Sequence, residues 1–212
     1  FLRSLVRVNS VELGFDPDRL LAARLSISQV DYPTPAAQRE FFASVLEQVS
    51  ALPGVLSASA ASKLPIQGRA TDWGVWRADR PRPERGRARS YLARGGYPRY
   101  LETMRIPLRR GREISPRDVA GAPQVVVLSE SAVRDLFGNE DPIGSPVVIW
   151  GRSGTYEVVG VAADAVLESA LNGPRSAFYI PAAQMGAAGL RLVVRTSGDP
   201  SAVTAAVRDV VR

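Results

Sequence analysis

The stretch YPTPAAQREFFASVLEQVSALPGVLSASAASKLPI, residues 32–66, predicts a helix followed by a strand. Thr34 suits the N-cap, and Pro35 suits the first helical position, where a missing N–H costs nothing. Apolar residues then recur every three or four positions and form one face, namely Phe41, Phe42, Val45, Leu46, Val49 and Leu52. Pro53 and Gly54 end the helix, and the small residues after them favour a strand packed closely beneath it.

A strand on each side of this helix makes the first 65 residues a β-α-β unit. The segment LLAARLSI, residues 20–27, precedes the helix and is typical of a strand. Near the other end, LRLVVR, residues 190–195, predicts another strand, and Asp199 opens another helix. We therefore expect a second β-α-β unit that begins here and is cut off at Arg212 before its last strand.

The middle of the chain is β-rich and contains two short helices. Strand-like runs are WGVWRA (73–78), RIPLRRGREI (105–114, with a turn), VVVL (125–128), VVIW (147–150), YEVVGV (156–161) and AFYI (177–180). The helices are predicted at PRYLETM and at ESAVRDLF, the latter with Ser129 as N-cap. The expected fold class is α+β, in which residues 66–186 form a β-rich subdomain inserted between residues 14–65 and 187–212.

The chain contains no His and no Cys among its 212 residues. The commonest general base, the commonest metal ligand and the nucleophilic thiol are therefore missing. Its single Lys, Lys63, follows no glycine-rich loop, so there is no Walker motif, and the acidic residues lack calcium-loop spacing. We predict no catalytic residues, no bound metal and no cofactor. No apolar run approaches the roughly 18 residues of a membrane helix.

Positive charge is concentrated between residues 77 and 112. Twelve Arg against three acidic residues make this segment +9, which leaves −3 for the rest of a chain whose net charge is +6. A solvated arginine-rich face is one interpretation, and a patch for anionic lipid head groups or an acidic partner is the other. Too few aromatic residues alternate with these Arg to favour nucleic acid.

Two tryptophans in WGVWRA lie beside this charge. Ordinary packing in a core or sheet is one interpretation of them, and contact with a partner is the other. The candidate partner-contact residues are Trp73, Trp76, Arg77, Arg80, Arg82, Arg85, Arg87 and Arg89.

Several motifs, in order along the chain, resemble the MacB-like periplasmic core domain of FtsX-like ABC-transporter permeases. They are GFDPDRLLAARLSI (14–27), the opening stretch (32–66), YPRYLETMRIPLRRGREIS (97–115), VVVLSESAVRDLFGNEDPIGSPV (125–147), YEVVGVAADA (156–165) and FYIP (178–181). The run from ALPGV to LPI and the LFGNEDPIG turn are the most specific. Within this family the chain is similar to the large duplicated permeases of acidobacterial type, and to their second ectodomain.

This resemblance implies a porter-like subdomain of two β-α-β units (14–65 and 187–212) that carries an inserted sabre-like subdomain (66–186). The stub (1–13) would follow a membrane helix. The implied location is the periplasmic side of the bacterial inner membrane, as part of an integral membrane protein.

The resemblance also implies partners: membrane helices of the same polypeptide, a cytoplasmic ATPase, a periplasmic adaptor or carrier protein and a paired ectodomain, but no nucleic acid. The implied function is non-catalytic docking and mechanical coupling in efflux or in export of envelope components. A stand-alone periplasmic binding module for an anionic lipid or an acidic partner is the alternative.

Overall fold

The computed structural model describes residues 12–25, 28, 30–66, 71–84, 87–169, 171, 173–185 and 190–211. Its strands are β1 (Leu20–Leu25), β2 (Val55–Ala61), β3 (Thr71–Arg77), β4 (Ser90–Gly96), β5 (Leu108–Gly111), β6 (Val125–Ser129), β7 (Pro146–Ile149), β8 (Tyr156–Ala162), β9 (Ala177–Pro181) and β10 (Leu190–Thr196). Its helices are α1 (Pro35–Ser50), α2 (Tyr100–Met104), α3 (Glu130–Phe137), α4 (Ala182–Met185) and α5 (Thr204–Val211), with a 3₁₀ turn (Pro200–Val203) before α5. The predicted stub lies outside the described residues except for its last two.

Helices α1 and α3 begin at the N-caps that the sequence predicts. The hydroxyl oxygen of Thr34 accepts a hydrogen bond from the Ala37 N–H at 3.1 Å, and that of Ser129 accepts one from the Ala132 N–H at 3.3 Å. The buried face of α1 consists of Phe42, Val45 and Val49. No helix in the described part of the chain has the length and apolar composition needed to cross a membrane.

Strands β1, β10 and β2 form an open antiparallel sheet in which β10 lies between the other two. The first unit is therefore a split β-α-β unit whose two strands are not neighbours. Alternate residues of this sheet share one hydrophobic cluster with α1 and α5, for example Ala58 and Ala60 of β2 and Leu192 and Val194 of β10. The small side chains of β2 leave room for the bulkier residues of α1, such as Phe42.

Six further strands form a closed ring. They pair in the order β4-β3-β7-β8-β6-β9, and β9 then pairs in parallel with β4. Strand β5 pairs with β8 in addition. Alternate residues of the six strands meet α3 in a second hydrophobic cluster, which is how side chains fill a small barrel. Closure pairs strand edges that would otherwise be free to bind another chain.

Strand β4 was not predicted from the sequence. Its sequence, SYLARGG, places Arg94 and two glycines where alternating apolar residues would be expected. In the structure β4 pairs with β3, with β9 and, through Gly96 and Ala61, with β2. A Cβ on Gly95 would lie 2.5 Å from the sulfur of Met185. Glycine at this position therefore allows α4 to pack against the strand.

A third hydrophobic cluster joins the open sheet to the ring. It contains Ala61 and Val193 of the open sheet, Leu92 and Tyr179 of the ring, and Leu101 of α2. We call it the junction cluster. Because it combines side chains from both sheets, the two parts of the fold share a continuous apolar core.

The side chain of Arg195 fixes the segment before β1 to α2. Its guanidinium donates hydrogen bonds to the carbonyl oxygens of Thr103, Asp18 and Asp16, each at 2.7 Å. The carboxylate of Asp16 lies 3.4 Å from Nη1 of Arg195 and also binds Arg105. Only 4% of the Arg195 side chain is exposed, so water cannot replace these bonds.

Replacing Arg195 by Met should lower the free energy of unfolding by about 3 kcal/mol, because three carbonyl oxygens lose a charged donor. Denaturant titration followed by circular dichroism measures the change. Arg191→Met is the matched control, since Arg191 lies on the same strand opposite Arg24 and forms no ion pair among the described residues. Equal losses in the two variants would contradict the role assigned to Arg195.

Candidate functional site

The arginine-rich segment is largely neutralised by carboxylates within the fold. Eleven of its twelve arginines lie in the described residues, and Arg85 lies outside them. Eight of the eleven form ion pairs. The partners from beyond the segment form the pairs Arg77–Glu140, Arg89–Asp135, Arg105–Asp16, Arg109–Glu130, Arg110–Asp141 and Arg112–Asp118. The acidic remainder of the chain therefore compensates much of the charge of the segment.

Trp73 and Trp76 lie on opposite faces of β3, because side chains alternate along a strand. Trp73 packs against Phe178 with 6.4 Å between ring centroids, and the guanidinium of Arg152 lies 4.7 Å from its ring. Arg77 shares this face of β3, and two carboxylates bind its guanidinium at 2.6 and 2.7 Å. Packing within the fold accounts for the positions of Trp73 and Arg77.

Trp76 belongs to a cluster on the other face. Its ring meets that of Trp150 edge to face, with 5.8 Å between centroids. The guanidinium of Arg82 lies 4.4 Å from the Trp150 ring and 5.9 Å from the Trp76 ring. Arg80 and Arg82 are exposed, and neither forms an ion pair within the described part of the chain. We call Trp76, Trp150 and Arg82, together with Arg80 two residues before Arg82 in the chain, the tryptophan–arginine surface.

The stacking of Arg82 on the two tryptophan rings determines what this surface can bind. A guanidinium that lies over an aromatic ring keeps N–H groups available for a carboxylate or phosphate. Trp76, Arg80 and Arg82 were candidates from the sequence, but Trp150 was not, because no pattern in the sequence reveals that β7 pairs with β3.

Arg87 and Arg89, the remaining described candidates, are exposed but paired. Arg87 lies 3.0 Å from a carboxylate oxygen of Glu84, and Arg89 lies 2.6 Å from one of Asp135. Exposed pairs of this kind contribute little to stability. They do, however, occupy guanidinium groups that a partner would otherwise bind.

A groove of about 630 Å³ lies between α1 and the segment that follows β5. Its apolar lining includes Leu46, Tyr97, Ile114, Val119 and Ala182, and its charged lining includes Arg39, Glu40 and Glu47. None of these residues was among the predicted contacts. The walls come from segments far apart in sequence, so no local pattern could have revealed the groove.

Asp118 holds one wall of the groove in place. Its buried carboxylate accepts hydrogen bonds from Arg112 at 2.7 and 2.9 Å, and from the N–H and hydroxyl of Ser115 at 2.7 and 3.0 Å. Burial by itself would raise the pKa of Asp118, but the hydrogen bonds from Arg112 and Ser115 outweigh burial and lower it. Asp118 is therefore charged at neutral pH.

The described residues thus present two exposed features, a cationic and aromatic surface and an apolar groove. In this part of the chain, no three acidic side chains are grouped closely enough to hold a metal ion. The arrangement suits the binding of partners through charge, stacking and apolar contact.

A match to a known protein family covers nearly the whole chain. The family described as the MacB-like periplasmic core domain matches residues 8–210. The macrolide export ATP-binding/permease protein MacB of Aggregatibacter actinomycetemcomitans is 38% identical over 65 residues, 31% of this chain and 10% of that protein. The protein of the same description from Syntrophobacter fumaroxidans is 36% identical over 77 residues, 35% of this chain and 10% of that protein. The chain spans about a tenth of the length of these relatives.

Two solved structures share the fold. The periplasmic region of MacB from Actinobacillus actinomycetemcomitans has a TM-score of 0.60 at 18% identity and covers 96% of this chain and 86% of its own. The extracellular domain of the noncanonic ABC-type transporter YknZ from Gram-positive bacteria has a TM-score of 0.54 at 16% identity, with 88% and 86% covered. At these identities the likeness concerns the fold, and it confirms the predicted α+β class.

Lowering the pH should destabilise the groove wall, because the carboxylate of Asp118 becomes protonated. The pKa of Asp118 is lower in the folded than in the unfolded chain. Its contribution to stability is therefore fully present above about pH 4 and is lost as the pH falls through the lowered value. We expect the difference in free energy of unfolding between the wild type and Asp118→Asn to shrink as the pH falls from about 6 to about 3.

Denaturant titrations across this pH range measure that difference. Asp31→Asn is the control, since Asp31 is exposed and forms no ion pair among the described residues, so this variant should differ little from the wild type throughout. A pH-independent difference for Asp118→Asn would contradict the role given to its charge.

Proposed function

Since the chain belongs to the family of MacB-like periplasmic core domains, we propose that it is the extracytoplasmic domain of an ABC-transporter permease in the bacterial inner membrane. The family match over residues 8–210 carries this proposal. The family consists of periplasmic domains of transporters rather than catalytic domains, so we assign a role in docking and mechanical coupling. The proposed partners are membrane helices of the same polypeptide, a cytoplasmic ATPase, a periplasmic adaptor or carrier, and a paired ectodomain.

We divide the chain into a stub (1–13), a porter-like subdomain (14–65 and 187–212) and a sabre-like subdomain (66–186). The open sheet with α1 and α5 corresponds to the porter-like part, and the ring with α3 to the sabre-like part. The chain leaves the open sheet after β2 and returns to it at β10, which supports an insertion.

The junction between these parts favours transmission of motion as one body. The N–H of Asp16 donates to the carbonyl of Met104 at 3.0 Å, and the N–H of Val166 donates to the carbonyl of Leu13 at 2.8 Å. Together with Arg195, these bonds tie the segment before β1 to α2 and to the segment after β8. A displacement of the segment before β1 would therefore move the junction cluster, which is continuous with both sheets. Efflux or export of envelope components is the class of transport that this coupling would serve.

We further propose that the tryptophan–arginine surface binds an acidic partner. Arg80 and Arg82 are its exposed cations without an ion pair in the described residues. Trp76 and Trp150 offer large rigid contact areas next to Arg82, and aromatic residues and Arg dominate the energy of many interfaces. The other described candidates are engaged within the fold.

A stand-alone module for anionic lipid is the weaker alternative. Juxtamembrane lipid binding uses clusters of several available cations, whereas eight arginines of the segment are paired with carboxylates in the described residues. Sedimentation with phosphatidylserine vesicles at low salt distinguishes a lipid-binding module from a domain that binds an acidic partner. Strong binding of the isolated chain, abolished by Arg80→Glu/Arg82→Glu, would favour the lipid module.

A single cysteine can report the side of the membrane, because the chain contains none. In the full-length permease, otherwise free of cysteine, Ala120→Cys on an exposed turn should react with a membrane-impermeant maleimide in cells whose inner membrane is intact. Ala132→Cys is the control, since Ala132 is fully buried and should react only after denaturation. Labelling of Ala120→Cys only after the inner membrane is broken would rule out an extracytoplasmic location.

Reversing the charge of Arg80 and Arg82 should weaken docking while the protein still folds. In the full-length permease, Arg80→Glu/Arg82→Glu should reduce copurification of the periplasmic partner about ten-fold, because attraction becomes repulsion. Basal ATPase activity should stay unchanged, and the melting temperature should fall only slightly, because Arg82 loses its stacking on the tryptophan rings. Arg117→Glu is the matched control, being exposed and in no ion pair among the described residues. Undiminished copurification in the double variant, or an equal loss in Arg117→Glu, would reject the tryptophan–arginine surface as the docking site.

A further inference from the structure

Arg94 is completely buried in β4, with 0% of its surface exposed. It lies two residues after Leu92 and therefore on the same face of the strand, turned toward the junction cluster. A buried charge is strongly unfavourable unless hydrogen bonds and an opposite charge surround it. The surroundings of Arg94 therefore need to supply both.

The hydrogen bonds of Arg94 account for only part of its donors. Nη1 donates to the carbonyl of Ala93 at 3.1 Å, and Nη2 donates to the carbonyl of Leu167 at 2.8 Å. Nε has no acceptor, and no carboxylate among the described residues forms an ion pair with Arg94. Glu168 attracts the charge from a greater distance, but its carboxylate binds Arg175 at 2.6 Å.

Two tyrosine hydroxyls near Arg94 also lack acceptors. Tyr179 on β9 lies opposite Arg94 in the parallel register of β9 and β4. The ring of Tyr100 on α2 lies 6.2 Å from that of Tyr179. Both hydroxyls are buried without a hydrogen-bond partner in the described part of the chain. Burial raises the pKa of both tyrosines, so both remain protonated and able to donate.

We infer that Nε of Arg94 and the hydroxyls of Tyr100 and Tyr179 form a binding site for one small monovalent anion such as chloride. All three groups can donate a hydrogen bond, and they share the need for an acceptor. A monovalent anion would balance the guanidinium charge. A water molecule would leave that charge uncompensated, and a dianion would leave a net negative charge buried.

The anion would connect three elements that meet at the junction cluster, namely β4, β9 and α2. The pairing of β9 with β4 closes the ring, so an anion held by Arg94 and Tyr179 stabilises that closure. The inference does not depend on the proposed role in a permease, since it concerns the stability of the fold.

Bromide replaces chloride and can be located by its anomalous scattering. Crystals of the chain grown in sodium bromide should show an anomalous peak in contact with the three donors. In solution, the melting temperature should be about 3 °C higher in sodium chloride than in sodium gluconate of equal ionic strength. Water alone at the site, or equal melting temperatures in the two salts, would overturn the inference.

Conservative variants link the effect to these residues. Tyr100→Phe/Tyr179→Phe keeps the ring volumes but removes two donors, and Arg94→Met removes the charge, so both should lose the response to chloride. Tyr32→Phe is the control, since Tyr32 packs on Phe41 of α1 and should respond as the wild type does. If Arg94→Met fails to fold, the chloride response of the double tyrosine variant tests the inference. A full chloride response in the double variant would overturn the inference.

Discussion

Closure of the strand ring on β4 is the constraint on which the rest of the arrangement depends. β4 pairs with β3 and β9 within the ring and with β2 of the open sheet, so one strand belongs to both parts of the fold. The junction cluster packs on the face of β4 that carries Leu92. A displacement of β4 would therefore disturb hydrogen bonds of both the ring and the open sheet.

Most described arginines of the arginine-rich segment form ion pairs within the fold. Arg195 ties together three backbone segments, Arg94 brings a charge into the core, and eight residues of the arginine-rich segment are held by carboxylates. A dense run of positive charge in a sequence is therefore a poor guide to the charge on the surface. Within the described part of this segment, the exposed arginines without an ion pair are Arg80 and Arg82, and Arg82 lies beside two tryptophans.

Much of the secondary structure could be predicted because its signals are local. Thr34 and Ser129 act as caps as expected, and the apolar periodicity of α1 gives its buried face correctly. β4 was missed because a buried Arg and two glycines replace the alternating apolar pattern, and α4 was missed because four residues are too few to show a period. At the candidate site, Trp76, Arg80 and Arg82 were named from composition and stay candidates, whereas Trp150 and the groove arise from contacts between distant segments.

The sequence by itself determined most helices, most strands, the α+β class and the family, because caps, periodicity and ordered motifs depend on residues close together in the chain. Only the tertiary structure decided which carboxylate binds each arginine, which faces of β3 the two tryptophans occupy, and that Arg94 and Arg195 are buried. These properties depend on which strands become neighbours. Strand pairing is set by the packing of the whole chain, so no short stretch of sequence contains it.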